Sequence, residues 1–231
     1  MTSHLTPQTR IALVFFLQAV TAGALFTRIP DIQLALGLNE AVLGLTLLGQ
    51  PIGNLVTFFV ASAVIERVGT RRVMLAGLPA LAICAGLAAV APGPGLLFLI
   101  FAVYGSAFAL TNLAMNVEVD RCEAATARRF MNRCHGIASA GLLATSLVGA
   151  GLRGVGVPAG MHLLILAPFV ICLALALVLP LQPAPPRRYS GAPRRRFIAL
   201  PTTMTFLLVG FVLSGFLMEG GTRTWSIIYN A

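Results

Sequence analysis

The sequence predicts an all-α integral membrane protein, a bundle of about seven transmembrane helices with its N-terminus in the cytoplasm. Three observations predict it. Of 231 residues, 58% are hydrophobic and 10% charged, with a mean hydropathy of +0.90. A soluble domain carries about 25% charged residues, so this chain has too few to keep a protein surface of its size wet. The apolar residues fall in runs near the roughly 20 that a helix needs to cross about 30 Å of hydrocarbon. The basic residues lie between those runs and cluster on alternate connections.

Seven runs stand out, at about 11–28, 41–64, 73–92, 95–116, 134–156, 160–181 and 197–218. Backbone groups in lipid must be satisfied within the segment, so each run is a helix; short alternating segments of a β-barrel are not seen. The start, "MTSHLTPQTRIALVFFLQAV", has one Arg before its apolar run, as a signal peptide does. The run continues to Phe26 without a clean small-residue cleavage site, so it reads as a retained first helix. The second run holds Gln50 before Pro51, whose missing N–H predicts a kink. "APGPG" joins runs three and four, and "RGVGVPAG" joins five and six. In run five, Gly136, Ala140 and Ala144 recur every four residues, with Gly141 and Gly149 beside them. That is a small-residue face for close helix contact, whether static or moving.

The organisation follows as a six-helix bundle over 1–181, a Pro- and Arg-rich cytoplasmic linker over 182–196 ("QPAPPRRYSGAPRRR"), and over 197–231 the first helix of a second, incomplete bundle. The linker's arginines are either solvated topogenic charge or contacts for anionic head groups.

All sixteen basic residues are Arg. Thirteen lie on one side: Arg10; Arg67, Arg71 and Arg72; Arg121, Arg128, Arg129 and Arg133; Arg187, Arg188, Arg194, Arg195 and Arg196. Three, Arg28, Arg153 and Arg223, lie on the other. The positive-inside rule puts the thirteen in the cytoplasm. Their placement between apolar runs, rather than on one soluble face, speaks against nucleic-acid binding. Cys122, Cys134 and His135 are too few and too widely spaced for a zinc pattern. Those two cysteines, with Cys84 and Cys172 in apolar runs, read as free thiols on the cytoplasmic side or in lipid.

The short stretch between runs two and three carries a motif. "SAVIERVGTR" resembles the loop of the major facilitator superfamily (MFS), Gly-x-x-x-Asp-Arg/Lys-x-Gly-Arg/Lys-Arg/Lys. Ser62 stands for the first Gly and Glu66 for the Asp. Arg67, Gly69 and Arg71 match, Thr70 replaces a basic residue, and Arg72 adds one. A tight reversal favours Gly69, which tolerates positive φ. The resemblance implies a cytoplasmic gate latch in which the Glu66 carboxylate holds one conformation. "FTRIPDIQLALGLNEAVLGLTLLG", "AMNVEV", "RFMNRCHGIASAGLL" and "EGGTRTWSIIY" resemble a bacterial permease-like branch related to fucose permeases, and imply a bacterial inner-membrane location.

Polar groups at membrane depth are costly and so become functional candidates. These are Gln18, Gln50, Asn54, Asn112 and Asn116, with Asn112 and Asn116 one turn apart on one helix face. They either line a substrate cavity for a neutral polar solute or act as interhelical glue. Arg28 and Asp31 in the outer loop are an outer-gate candidate, or a solvated pair. Glu118 and Asp120, at the inner mouth of run four, are candidates to meet Arg121 or Arg133 in an inner gate. Among histidines, His135 is singled out for proton coupling, or as an interfacial residue beside Arg133. Glu219 is a further, weaker coupling candidate.

No enzyme signature appears. A Walker loop with Gly-Lys-Ser/Thr is absent, so ATP-driven pumping is not supported. No cofactor and no nucleic-acid partner are expected; the partners are the bilayer, a small solute and, by resemblance, protons. The expected function is that of a secondary active transporter working by alternating access. The chain reads as a truncated product lacking a C-terminal half. The alternatives are a non-transporting sensor or assembly partner, or a nonfunctional gene remnant.

Overall fold

Proline placement decides where the first two apolar runs break. The computed structural model describes residues 5–182 and 202–229, with side chains as far as Met218. In it α1 (Pro7–Thr27) and α2 (Ile29–Ala35) meet at Arg28 as separate helices. Pro30 offers no N–H to the Phe26 carbonyl and its ring crowds that turn, so the helix restarts. α3 (Glu40–Leu47) and α4 (Gly49–Val68) part at Leu48, just after the Leu47 carbonyl that Pro51 cannot bond. The kink expected in run two is thus an interruption before Pro51. Arg28 and Asp31, expected in a loop, stand at the first junction and on α2.

Beyond these lie α5 (Thr70–Ala88), α6 (Pro94–Thr126), α7 (Met131–Gly154) and α8 (Ala159–Val178). Among the described residues, six helical segments are long and apolar enough to cross a membrane, with α1–α2 and α3–α4 each forming one. A single residue, Gly69, turns α4 into α5 at φ 88° and ψ 147°. That backbone region is essentially restricted to glycine.

The helix of the fourth run extends beyond the apolar segment that ends near 116. α6 continues for ten residues more, because "NVEVDRCEAAT" holds charges but neither Gly nor Pro. Charge moves a helix out of lipid without unwinding it. The helix ends at Ala127, which is left-handed at φ 54°. Glu118 and Asp120 therefore ride on α6. Near its end, Glu123 Oε1 accepts the N–H groups of Phe130 (2.5 Å) and Met131 (2.8 Å). It thereby satisfies donors at the start of α7 that no intrahelical carbonyl can reach.

α1 packs along α7, α4 along α6, and α5 against both α6 and α8. The α4–α6 seam is the closest. A Cβ built on Gly53 would lie 1.9 Å from the Ala102 carbonyl oxygen, and one on Gly105 would lie 2.1 Å from that of Gln50. Ser106 Oγ also donates to the Gly53 carbonyl at 3.2 Å. Such small-residue contact lets two backbones approach where lipid supplies no hydrophobic drive.

On α7 the expected small residues divide between two faces. The buried residues are Cys134, Gly141, Thr145 and Gly149, whereas Gly136, Ala140 and Ala144 are exposed. Gly141 lies against Phe16 and Gly149 against Thr27. Both sets are small, and the register that meets α1 is the second.

Two apolar cores result. One gathers Phe15, Met74, Met115 and Val178; the other gathers Leu25, Leu81, Phe101 and Leu163. Leu55, Phe58, Phe59, Leu147 and Phe169 point outward and are largely exposed. Lipid is the solvent that such a surface fits.

The chain divides into two units, Met1–Pro185 and Pro186–Ala231. The second contributes α9 (Thr203–Tyr229), with an apolar stretch Thr203–Met218. The linker arginines, the expected start of span seven at 197 and the side chains of Glu219 and Arg223 lie outside the described residues.

Candidate functional site

Near the middle of α1 and α6, three amides form a connected chain. Asn116 Nδ2 donates to the Asn112 carbonyl (2.8 Å) and to Asn112 Oδ1 (3.0 Å). Asn112 Nδ2 reaches Gln18 Oε1 at 3.4 Å, and Gln18 Nε2 reaches the Phe108 carbonyl at 3.5 Å, both long bonds. Gln18 is buried and the two asparagines are half-buried. The chain therefore keeps polar atoms at an accessible edge of two spans. Gln50 and Asn54 sit on α4 without a hydrogen bond to it, and Asn54 Oδ1 is buried without a partner. The five amides named from sequence thus divide into one linked group of three and two on another helix.

At the Gly69 end of the bundle, the buried carboxylate is Glu118. It accepts from Thr70 Oγ1 at 2.6 Å, the first residue of α5, and from Arg121 Nη1 at 2.7 Å. A carboxylate there also faces the positive end of a helix dipole. Thr70, which departs from the loop motif, is thus the residue that ties α5 to α6. Arg71 reaches across to α8, where its guanidinium donates to the carbonyls of Val178 and Leu179. Ser62, Glu66, Arg67 and Arg72 are exposed around the turn. Arg133 and Asp120 do not join the Glu118 pair. His135 lies edge-on to Phe15, with ring centroids 5.2 Å apart.

At the opposite end, Arg28 is the organising group. Its side chain is 1% exposed. Nη1 donates to Asp31 Oδ2 at 2.8 Å and to the Val157 carbonyl at 3.0 Å. Nε donates to His162 Nδ1 at 3.1 Å. Guanidinium nitrogens only donate, so His162 Nδ1 is an acceptor and its proton is on Nε2. Arg153 Nε donates to Asp31 Oδ1 at 2.9 Å, so one carboxylate is shared by two arginines.

Sequence reasoning missed Thr70, Arg153 and His162. The signal for His162 was present, since a histidine stands near the start of run six in "GMHLLIL". Its partner Arg28 is 134 residues away, and only the fold brings them together.

The comparisons agree with this architecture. The Major Facilitator Superfamily profile matches residues 11–230. The chain is similar to an uncharacterized MFS-type transporter of Yersinia pestis, with 27% identity over 227 residues, 97% of this chain and 58% of that protein. It thus spans less than two thirds of the relative's length. No solved structure matches. With six membrane-length helices among the described residues, a one-residue turn at the expected motif and a match over nearly its whole length, the chain belongs to the major facilitator superfamily.

Proposed function

We propose that this chain serves a secondary active transporter that moves a small neutral polar solute by alternating access, coupled to protons, in a bacterial inner membrane. The observation that carries the reading is the Gln18–Asn112–Asn116 amide chain, with half-buried asparagines near mid-span of α1 and α6. Amides offer both donors and acceptors to hydroxyl groups, and among the described residues no acidic or basic side chain joins the three amides. In the whole protein a second bundle faces these residues, and the solute binds between the two halves. The Arg28–Asp31 and Glu118–Arg121 pairs lie at opposite ends of the spans, as outer and inner gates would. Thirteen of sixteen arginines assigned to one side by the alternation of apolar runs in the sequence support a cytoplasmic N-terminus. The seventh span is α9, and the quoted motifs support a branch related to fucose permeases.

The test is uptake of labelled neutral solutes, sugars first, by cells expressing the full reading frame, with and without an uncoupler. Uptake that the uncoupler abolishes, and that Asn112→Ala reduces at least tenfold, is the expected result. Absence of gradient-dependent flux for every solute class would leave the sensor or remnant readings standing instead.

A further inference from the structure

The Pro158 end of the bundle holds the Arg28–Asp31 pair read above as an outer gate, together with donors on Arg28, Arg153 and the first turn of α8 that this reading leaves unused. A hollow of about 510 Å³ opens there, lined by residues that include Arg28, Asp31, Arg153, Pro158, Ala159 and Gly160. Three features converge on it. The first turn of α8 has no side-chain cap, so the N–H groups of Ala159, Gly160 and Met161 have no intrahelical acceptor. Arg28 is buried, yet its Nη2 has no hydrogen-bond partner. Arg153 uses Nε on Asp31 and is 32% exposed, leaving its terminal nitrogens for another acceptor.

Charge defines the occupant. Asp31 already accepts from both arginines, so two positive charges face one negative, and His162 bonds Arg28 through an unprotonated nitrogen. The cluster carries one uncompensated positive charge beside a helix N-terminus that favours an anion. Arginine forks and backbone N–H groups together match tetrahedral oxyanions. We propose that this hollow is a binding site for a phosphate group carrying a single negative charge, supplied either as free phosphate monoanion or as a phosphodiester lipid head group. The site is separate from the amide chain at mid-span, so its occupancy does not depend on which solute is transported.

The test uses the whole chain, purified in detergent and titrated with inorganic phosphate by calorimetry. In parallel, the chain is melted in nanodiscs of phosphatidylcholine with and without phosphatidylglycerol. Arg153→Gln is expected to weaken binding at least tenfold, the scale of one lost charge-assisted contact. Arg153→Lys, which keeps the charge, is expected to retain most of it. Arg129→Gln, in a second basic hollow at the opposite end, should change nothing. Phosphate binding lost with Arg153→Gln alone supports the site with a free anion. Stabilisation by phosphatidylglycerol alone, lost with the same variant, supports it with a lipid. No response to either, or a response that Arg129→Gln removes and Arg153→Gln leaves intact, overturns it.

Discussion

Replacing Gly53 by alanine tests whether the α4–α6 seam holds the bundle together. The new Cβ would lie 1.9 Å from the Ala102 carbonyl oxygen, 2.8 Å from its carbon and 3.0 Å from the Ser106 nitrogen. Ordinary contact begins at 3.4 Å, so the helices must part locally by about 1.5 Å. All three obstacles are backbone atoms, so no rotamer change relieves the clash. Parting the helices also opens the contacts of Gly49 on Phe98 and of Gly105 on Gln50, which share the seam. Overpacking of this kind costs about 1–3 kcal/mol, and a rigid obstacle puts it at the upper end. Alanine returns up to about 1 kcal/mol of helix propensity. The net loss is about 2 kcal/mol, or about 4–8 °C in melting temperature for a chain of this size. Buried Cys84 and Cys134 allow the melt to be followed by a thiol-reactive dye in detergent. Gly95→Ala, with nothing within 4 Å of its Cβ, is the control and should melt at or above the parent temperature. A Gly53→Ala protein melting within about 1 °C of the parent, or a control that falls equally far, would refute the reasoning.

Three further outcomes follow from the same structure. Glu118→Ala leaves Thr70 Oγ1 without its acceptor and should cost about 1–3 kcal/mol, whereas Glu118→Gln keeps an acceptor and should cost less; melting temperatures of the two variants compare them. Asp31→Ala strips the counter-charge from buried Arg28 and should cost about 3 kcal/mol, while Arg153→Ala, at the exposed side of the same carboxylate, should cost under about 1 kcal/mol. Equal losses in thermal melts would contradict that asymmetry. On α7, Gly141→Leu drives a side chain into Phe16 and should reduce the yield of folded protein in size-exclusion chromatography. Gly136→Leu, facing open space in the described unit, should leave it near the parent level. The reverse order would put Gly136, not Gly141, at the contact with α1.

The sequence by itself determined the solvent, the existence of the six long apolar segments among the described residues, and the family. Hydropathy is a sum over neighbours along the chain, so runs such as 73–92 and 160–181 announce α5 and α8 without any tertiary information. The need for a glycine at position 69 was equally local, because one residue's φ decides it. Tertiary structure alone decided which faces meet. A helix apolar on every side has no polar face to mark its outside, so α7 could offer Gly136–Ala140–Ala144 or Gly141–Thr145–Gly149 with equal logic. Shape against Phe16 and Thr27 chose the second. Hydropathy marked where run four leaves the apolar layer near 116 but not where its helix ends, because backbone geometry ends α6 only where Ala127 turns left-handed. Charge partners were the least legible. Arg28 meets Asp31 within one turn, but its bond to His162, the Arg153–Asp31 pair and the Thr70–Glu118 tie all join distant segments. Only packing brings such groups within reach, since a buried ion is satisfied by whatever the neighbouring helices carry at the same depth.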